Sequence, residues 1–196
     1  NEDATRNDII RALRGLISSS SSGDVLVVTY SGHGTRIEST NDEDDDGFDE
    51  AVVPYDYDRG DLLVDDDIGE LISELPSGVN LTFIMDCCHS GTITRNIKGF
   101  LRNKGKPRSV KERFLKIEDP KLLKKIAESI RNRRKQRGTL NRGFRDQMQE
   151  VLIAACLPEE TSKETGGSGL FSHAAIQFLQ NADGPVTHEE FTDAIR

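Results

Sequence analysis

Two short stretches bring reactive side chains together with glycine: Ser31-Gly32-His33-Gly34, and Asp86-Cys87-Cys88-His89-Ser90-Gly91. A cysteine attacks only as its thiolate, and a neighbouring imidazole or helix N-terminus lowers its pKa enough for that. Cys88 with His33 supplies both parts. Gly32, Gly34 and Gly91 let the backbone turn sharply and approach a substrate, and N–H groups near Cys88 and Gly34 could face a developing oxyanion. This is the chemistry of acyl transfer from a peptide or ester. Zinc is the competing chemistry, but successive strand-end side chains point apart and no second C-x-x-C pair completes a tetrahedral site. Cys87 and Cys156 read as packing. On local chemistry alone, a Cys–His hydrolase and a purely structural role both stay open.

Such a pair needs elements that deliver it to one place. Ile9, Ile10, Leu13, Leu16 and Ile17 recur at helical spacing, and Ser18 to Gly23 breaks the pattern before the apolar run Val25-Leu26-Val27-Val28. A helix therefore feeds a buried strand. Beyond an acidic loop, Asp65-Asp66-Asp67 suits a helix start, Ile68, Leu71, Ile72 and Leu75 continue it, and Pro76-Ser77-Gly78 stops it. Leu81 to Met85 and Val151 to Ala155 read as further buried strands. Helices are expected at Leu170 to Gln180 and, opened by the capping pair Thr187 and Glu190, at the C-terminus. Alternating strands and helices imply an α/β fold with a mostly parallel sheet covered on both faces. Its ligand crevice lies beyond the carboxyl ends of the strands, where both motifs begin.

The 196 residues carry 34 acidic against 26 basic side chains and no tryptophan, for a net charge of −8. No apolar run approaches the roughly 20 residues of a membrane span, so no membrane partner is expected. Three cysteines are too few for a disulfide framework, which points to a reducing, cytoplasmic setting. Charge is segregated: Glu38 to Asp67 holds 14 acids and one base, whereas Arg95 to Arg145 holds 19 basic residues against 4 acids. The insert is thus net +15 and the remainder −23. Nucleic acid is not an expected partner, because Phe100, Phe114 and Phe144 are too scattered to stack bases and the acidic remainder would repel a duplex.

The paired motifs, Tyr30 to Gly34 and Asp86 to Gly91, resemble the signature of metacaspases, the caspase-like cysteine peptidases. Asp46 to Glu50 and Val64 to Asp67 extend the resemblance, and Leu152 to Ser162 is similar to the start of the small-subunit region. The resemblance implies one caspase-like domain, a three-layer sandwich around a mostly parallel central sheet. Residues 1–94 would form its large-subunit-like region, 95–145 a basic insert and 146–196 the small-subunit-like region. It implies His33 as general base and Cys88 as nucleophile, with Asp86 and Ser31 lining the S1 pocket. That pocket receives P1, the residue whose carbonyl is attacked. Metacaspases prefer Arg or Lys there rather than the Asp favoured by caspases, and a partly desolvated carboxylate attracts such cations.

The same resemblance points to Ca2+ held by Asp49, Asp65 and Asp66. An EF-hand is set aside because a loop starting at Asp42 puts Val53 where the bidentate Glu should stand. Two departures stand out. Arg95 occupies a place where many relatives carry an acid, and the family's upstream strand and further S1 acid have no counterpart after Asn1. The expected function is a calcium-stimulated endopeptidase acting as a monomer on peptides or proteins with basic P1 residues, and cutting itself within the basic insert. A non-catalytic caspase-like interaction or calcium-sensing module is the rival.

Overall fold

Helix α1 (Arg6–Ser18) begins where Thr5 accepts the Asp8 N–H at 3.2 Å, and its apolar stripe from Ile9 to Ile17 lies on the core. The computed structural model containing it describes residues 2–39, 47–87, 111–137, 150–155, 163–165 and 168–195. Gly23, at φ 95°, makes the turn into β1 (Val25–Ser31), a conformation that favours glycine. Three antiparallel strands follow: β2 (Gly34–Glu38), β3 (Phe48–Val52) and β4 (Leu63–Val64). Helix α2 (Asp65–Ser73) starts with three acids in its first turn, and the Asp67 carboxylate accepts the Val64 N–H at 3.3 Å.

Strand β5 (Asn80–Asp86) then runs parallel to β1, with Ser31 opposite Asp86, and β7 (Glu150–Ala154) pairs parallel on its other side. The order β1-β5-β7 puts β5 at the centre. Helices α1 and α2 cover one face, around Leu26, Leu81, Phe83 and Met85. The opposite face carries α4 (Leu170–Gln180) and α5 (His188–Ile195), whose Ala175 and Phe191 pack on Ile153. Thr187 and Glu190 cap α5 reciprocally, the Glu190 carboxylate accepting from the Thr187 N–H at 2.9 Å. Cover is incomplete at β1, where Val25 and Val27 are 68% and 54% exposed.

Residues 111–137 of the basic insert are among those described. Asp119 accepts the Lys121 N–H at 2.9 Å, and Pro120 opens α3 (Pro120–Arg137). Its Ile126 and Ile130 are fully buried against Ile37, Ala51, Leu62 and Val64. This contact explains why part of the expected acidic loop forms a sheet: β3 and β4 have an apolar helix to bury against, and packing overrides the local charge. A last small sheet joins β6 (Lys111–Glu112), β8 (Lys163–Thr165) and β9 (Ser168–Gly169), tying the insert to the C-terminal region. Among the described residues no helix is long and apolar enough to cross a membrane.

Candidate active site

The carboxyl ends of β1 and β5 meet in register, and the Gly32 N–H donates to the Asp86 carbonyl at 3.3 Å. Immediately beyond, the His33 carbonyl accepts from the Tyr30 hydroxyl at 2.9 Å and from the Val53 N–H at 3.0 Å. Two donors thus fix the backbone that carries the imidazole. A Cβ on Gly32 would come within 2.5 Å of the Tyr30 oxygen, so glycine is what admits the phenol. Burial raises the Tyr30 pKa well above its usual value, with the neighbouring Cys87 adding to the rise; Tyr30 therefore stays a donor. Cys87 is completely buried in the core. Cys88, the expected nucleophile, lies outside the described residues, as do His89, Gly91 and Cys156.

Ser31 and Asp86 do come together, and they do so around Arg113. The buried guanidinium donates from Nη1 to Ser31 Oγ at 2.6 Å and to the Asp86 carbonyl at 3.0 Å. The Asp86 carboxylate lies 3.6 Å from the same nitrogen, and Glu164 lies 3.6 Å from Nε. The backbone of this segment is gripped as well. The Gly34 N–H donates to the Arg113 carbonyl at 3.0 Å, the Leu115 N–H donates to the Gly34 carbonyl at 2.9 Å, and Thr35 Oγ1 donates to the Leu115 carbonyl at 2.7 Å. Residues 111–115 therefore run as an extended peptide through the crevice, β-paired to β8 before Arg113 and to the start of β2 after it.

The far side of the Asp86 carboxylate is held by α4. Its Oδ2 accepts from the Ser172 N–H at 3.0 Å and from the Ser172 hydroxyl at 2.5 Å, so the N-terminus of the helix faces the negative charge. Gly169 is required there, because a Cβ would overlap the carboxylate. Sequence reading missed Arg113, Glu164 and Ser172. Arg113 is one of 19 basic residues in the insert, with no local signal to single it out. Ser172 could have been flagged as a hydroxyl in the first turn of a helix.

The expected calcium ligands are also placed. Arg134, near the end of α3, puts Nη2 at 2.6 Å from Asp49 Oδ1 and 2.8 Å from Asp66 Oδ2. Asp49 is buried on β3, its Oδ1 also accepting from Ser39 Oγ at 3.3 Å, and Asp65 opens α2. Burial opposes the Arg134 charge, but hydrogen bonds to Asp49 and Asp66 outweigh it and raise the pKa. Among the described residues, no group of three or more His, Cys, Asp or Glu side chains is arranged to hold a metal ion. Next along the helix, Arg133 donates to the Leu62 carbonyl at 3.0 Å and lies 3.5 Å from Asp67, which Arg6 also pairs at 3.0 Å. The basic insert is thus docked on the acidic body.

Comparison with known proteins bears on the first of these sites. The family model for the metacaspase peptidase C14 domain matches residues 1–96. Those residues belong to the metacaspase family. Metacaspase-4 of Arabidopsis thaliana is 50% identical over 95 residues, 48% of this chain and 22% of that protein. Metacaspase-2 of Trypanosoma brucei brucei is 43% identical over 93 residues, 47% of this chain and 26% of that protein. A relative from the same organism, 44% identical over 92 residues (46% of this chain and 26% of that protein), is named inactive metacaspase-4. The match with these relatives spans about a quarter of their length. The fold is shared with a crystal structure of a Geobacter sulfurreducens protein at TM-score 0.72 and 24% identity, covering 99% of this chain and 69% of that one. The metacaspase match, implying a caspase-like cysteine peptidase domain, includes Ser31, His33, Asp86 and Cys88 and ends before Arg113, Arg134, Glu164 and Ser172.

Proposed function

We propose that this chain is a caspase-like cysteine endopeptidase that cuts after Arg or Lys, and that the bond following Arg113 is its own first substrate. The observation carrying this reading is the double anchorage of Arg113: its guanidinium meets Ser31 and Asp86 while its carbonyl accepts from Gly34, the residue after His33. A P1 residue needs both contacts, one for selection and one to stabilise charge on the carbonyl oxygen.

The chemistry balances with two catalytic groups. His33 takes the thiol proton, and the Cys88 sulfur bonds to the Arg113 carbonyl carbon, its oxygen becoming an anion beside the Gly34 N–H. Collapse breaks the C–N bond to Phe114, and His33 returns the proton to that nitrogen. Water then hydrolyses the thioester and frees the thiol. Asp86, backed by Ser172, supplies the negative charge that draws in a basic side chain and repels an acidic one. A caspase-like three-layer arrangement, a cytoplasmic setting and a monomer complete the reading.

Calcium belongs to the same proposal. Asp49 and Asp66 would hold it, with Asp65 beside them, since Arg134 Nη2 marks a point where two carboxylate oxygens already converge at 2.6 and 2.8 Å. Bound there, the ion would supply the neutralising charge that Arg134 now provides.

Peptides differing only in Arg or Asp at P1, assayed with and without Ca2+, test the proposal. Turnover of the Arg peptide, abolished by Cys88→Ala and largely kept by Cys87→Ala, is the expected result. No turnover of either peptide would favour the rival, a non-catalytic interaction or calcium-sensing module, to which the inactive relative lends weight.

A further inference from the structure

The Arg113 side chain is met at two depths by different groups. At its tip, Nη1 has a hydroxyl, a carbonyl and a carboxylate within reach, from Ser31 and Asp86. A lysine ammonium, with three donors on a flexible stem, can use those same partners. Two atoms further in, Nε is a donor that only arginine has; lysine places a methylene there. Nε makes no hydrogen bond among the described residues, and the carboxylate 3.6 Å from it is Glu164. Glu164 is held in place by its backbone, which pairs with Lys111 across β6 and β8, two residues before Arg113. Its side chain is 23% exposed, so water screens it only in part.

We infer that Glu164 is a specificity-determining residue that favours arginine over lysine at P1. This deepens the reading above and rests on its assignment of the pocket. With arginine bound, the Glu164 carboxylate faces an N–H and a delocalised cation. With lysine bound it faces hydrocarbon, and its charge acts on the ammonium from further off. Glu164 therefore strengthens binding of one substrate and not the other, whereas Asp86 and Ser31 serve both.

The test measures kcat/KM on two peptides identical except for Arg or Lys at P1, with the wild-type chain, Glu164→Gln and Glu164→Asp. The wild-type chain is expected to prefer Arg. Glu164→Gln should lower kcat/KM for the Arg peptide by ~5- to 10-fold, through KM, and leave the Lys peptide within about twofold. Glu164→Asp, with the carboxylate withdrawn by one methylene, should fall between them. Thermal melting checks that each variant folds, and should Glu164→Gln fail to fold, the fall in the Arg:Lys ratio in Glu164→Asp decides alone. An unchanged ratio, or equal loss on both peptides, overturns the inference while leaving the peptidase reading intact. Absence of turnover of both peptides by the wild-type chain overturns that reading and this inference with it.

Discussion

The Gly34 N–H donates to the Arg113 carbonyl at 3.0 Å, placing a basic residue's peptide carbonyl one position along the chain from His33. The same residue is anchored through its guanidinium, so the peptide bond to Phe114 is fixed at both the side chain and the carbonyl. If this is the scissile bond, holding it at two points converts an encounter into an intramolecular step. On the proposed function, the segment would also block the crevice to other substrates until that bond is cut or the segment leaves.

Self-cleavage should therefore fall between Arg113 and Phe114. Intact mass of the chain after addition of Ca2+ reads the fragments directly. Arg113→Gln should slow this cut by ~100-fold, because the buried anionic pocket loses its cation. A first cut elsewhere in the insert at the wild-type rate would contradict the placement.

Ser172 and Gly169 should matter to the pocket in a way that differs from Glu164. Ser172→Ala removes one of the two Ser172 donors to Asp86 Oδ2 and should raise KM for Arg and Lys peptides alike, by ~5-fold, without altering kcat. Gly169→Ala pushes a methyl group into the same carboxylate and should cost at least ~10-fold in kcat/KM on both peptides. Steady-state kinetics on the self-processed protein checks both, and a change in the Arg:Lys ratio in either variant would argue against the division of labour.

Tyr30 predicts a pH dependence. Its folded pKa is raised above the ordinary value of 10.0 by burial, so above about pH 10 the unfolded chain loses a proton that the folded chain keeps. Stability from this group is complete below pH 10 and declines as pH rises towards the folded pKa. Tyr30→Phe should remove that alkaline decline. It also deletes the hydroxyl bonds to the His33 and Val53 carbonyls, for ~1–2 kcal/mol at neutral pH and a several-fold lower kcat. Urea unfolding at pH 7 to 11 for both chains would show it, and parallel curves would refute it.

The parallel sheet and its helices were legible because period and punctuation agree: the apolar runs Val25 to Val28 and Leu81 to Met85 form strands, although β1 leaves Val25 and Val27 exposed where a buried strand was expected, and Thr187 with Glu190 forms a cap. Ser31 and Asp86 were expected to share a pocket, and register pairing puts them opposite each other. The strands between Gly34 and Val64 were not legible, since β3 contains Asp49 and Glu50 and owes its burial to Ile126 and Ile130 some 75 residues later. Arg113 and Arg134 were hidden for a related reason. Both sit in a run of like charge, and only the fold selects which guanidinium meets Asp86 and which meets Asp49.

Arg134 supplies the last prediction, in which the proposed metal and the insert compete. Asp49 is buried, and deleting the guanidinium 2.6 Å from it weakens the compensation of its charge, so Arg134→Ala should destabilise the calcium-free protein by about 2–4 kcal/mol. If Ca2+ takes the same two carboxylates, millimolar Ca2+ should restore much of the loss, because the ion binds the folded state without first displacing a guanidinium. In the wild-type chain the gain should be smaller, since part of the binding free energy goes into undocking the end of α3. Melting temperatures with and without Ca2+, measured on both chains carrying Cys88→Ala to prevent self-cleavage, give the comparison. Equal calcium shifts in the two chains would mean that metal and arginine do not share the site.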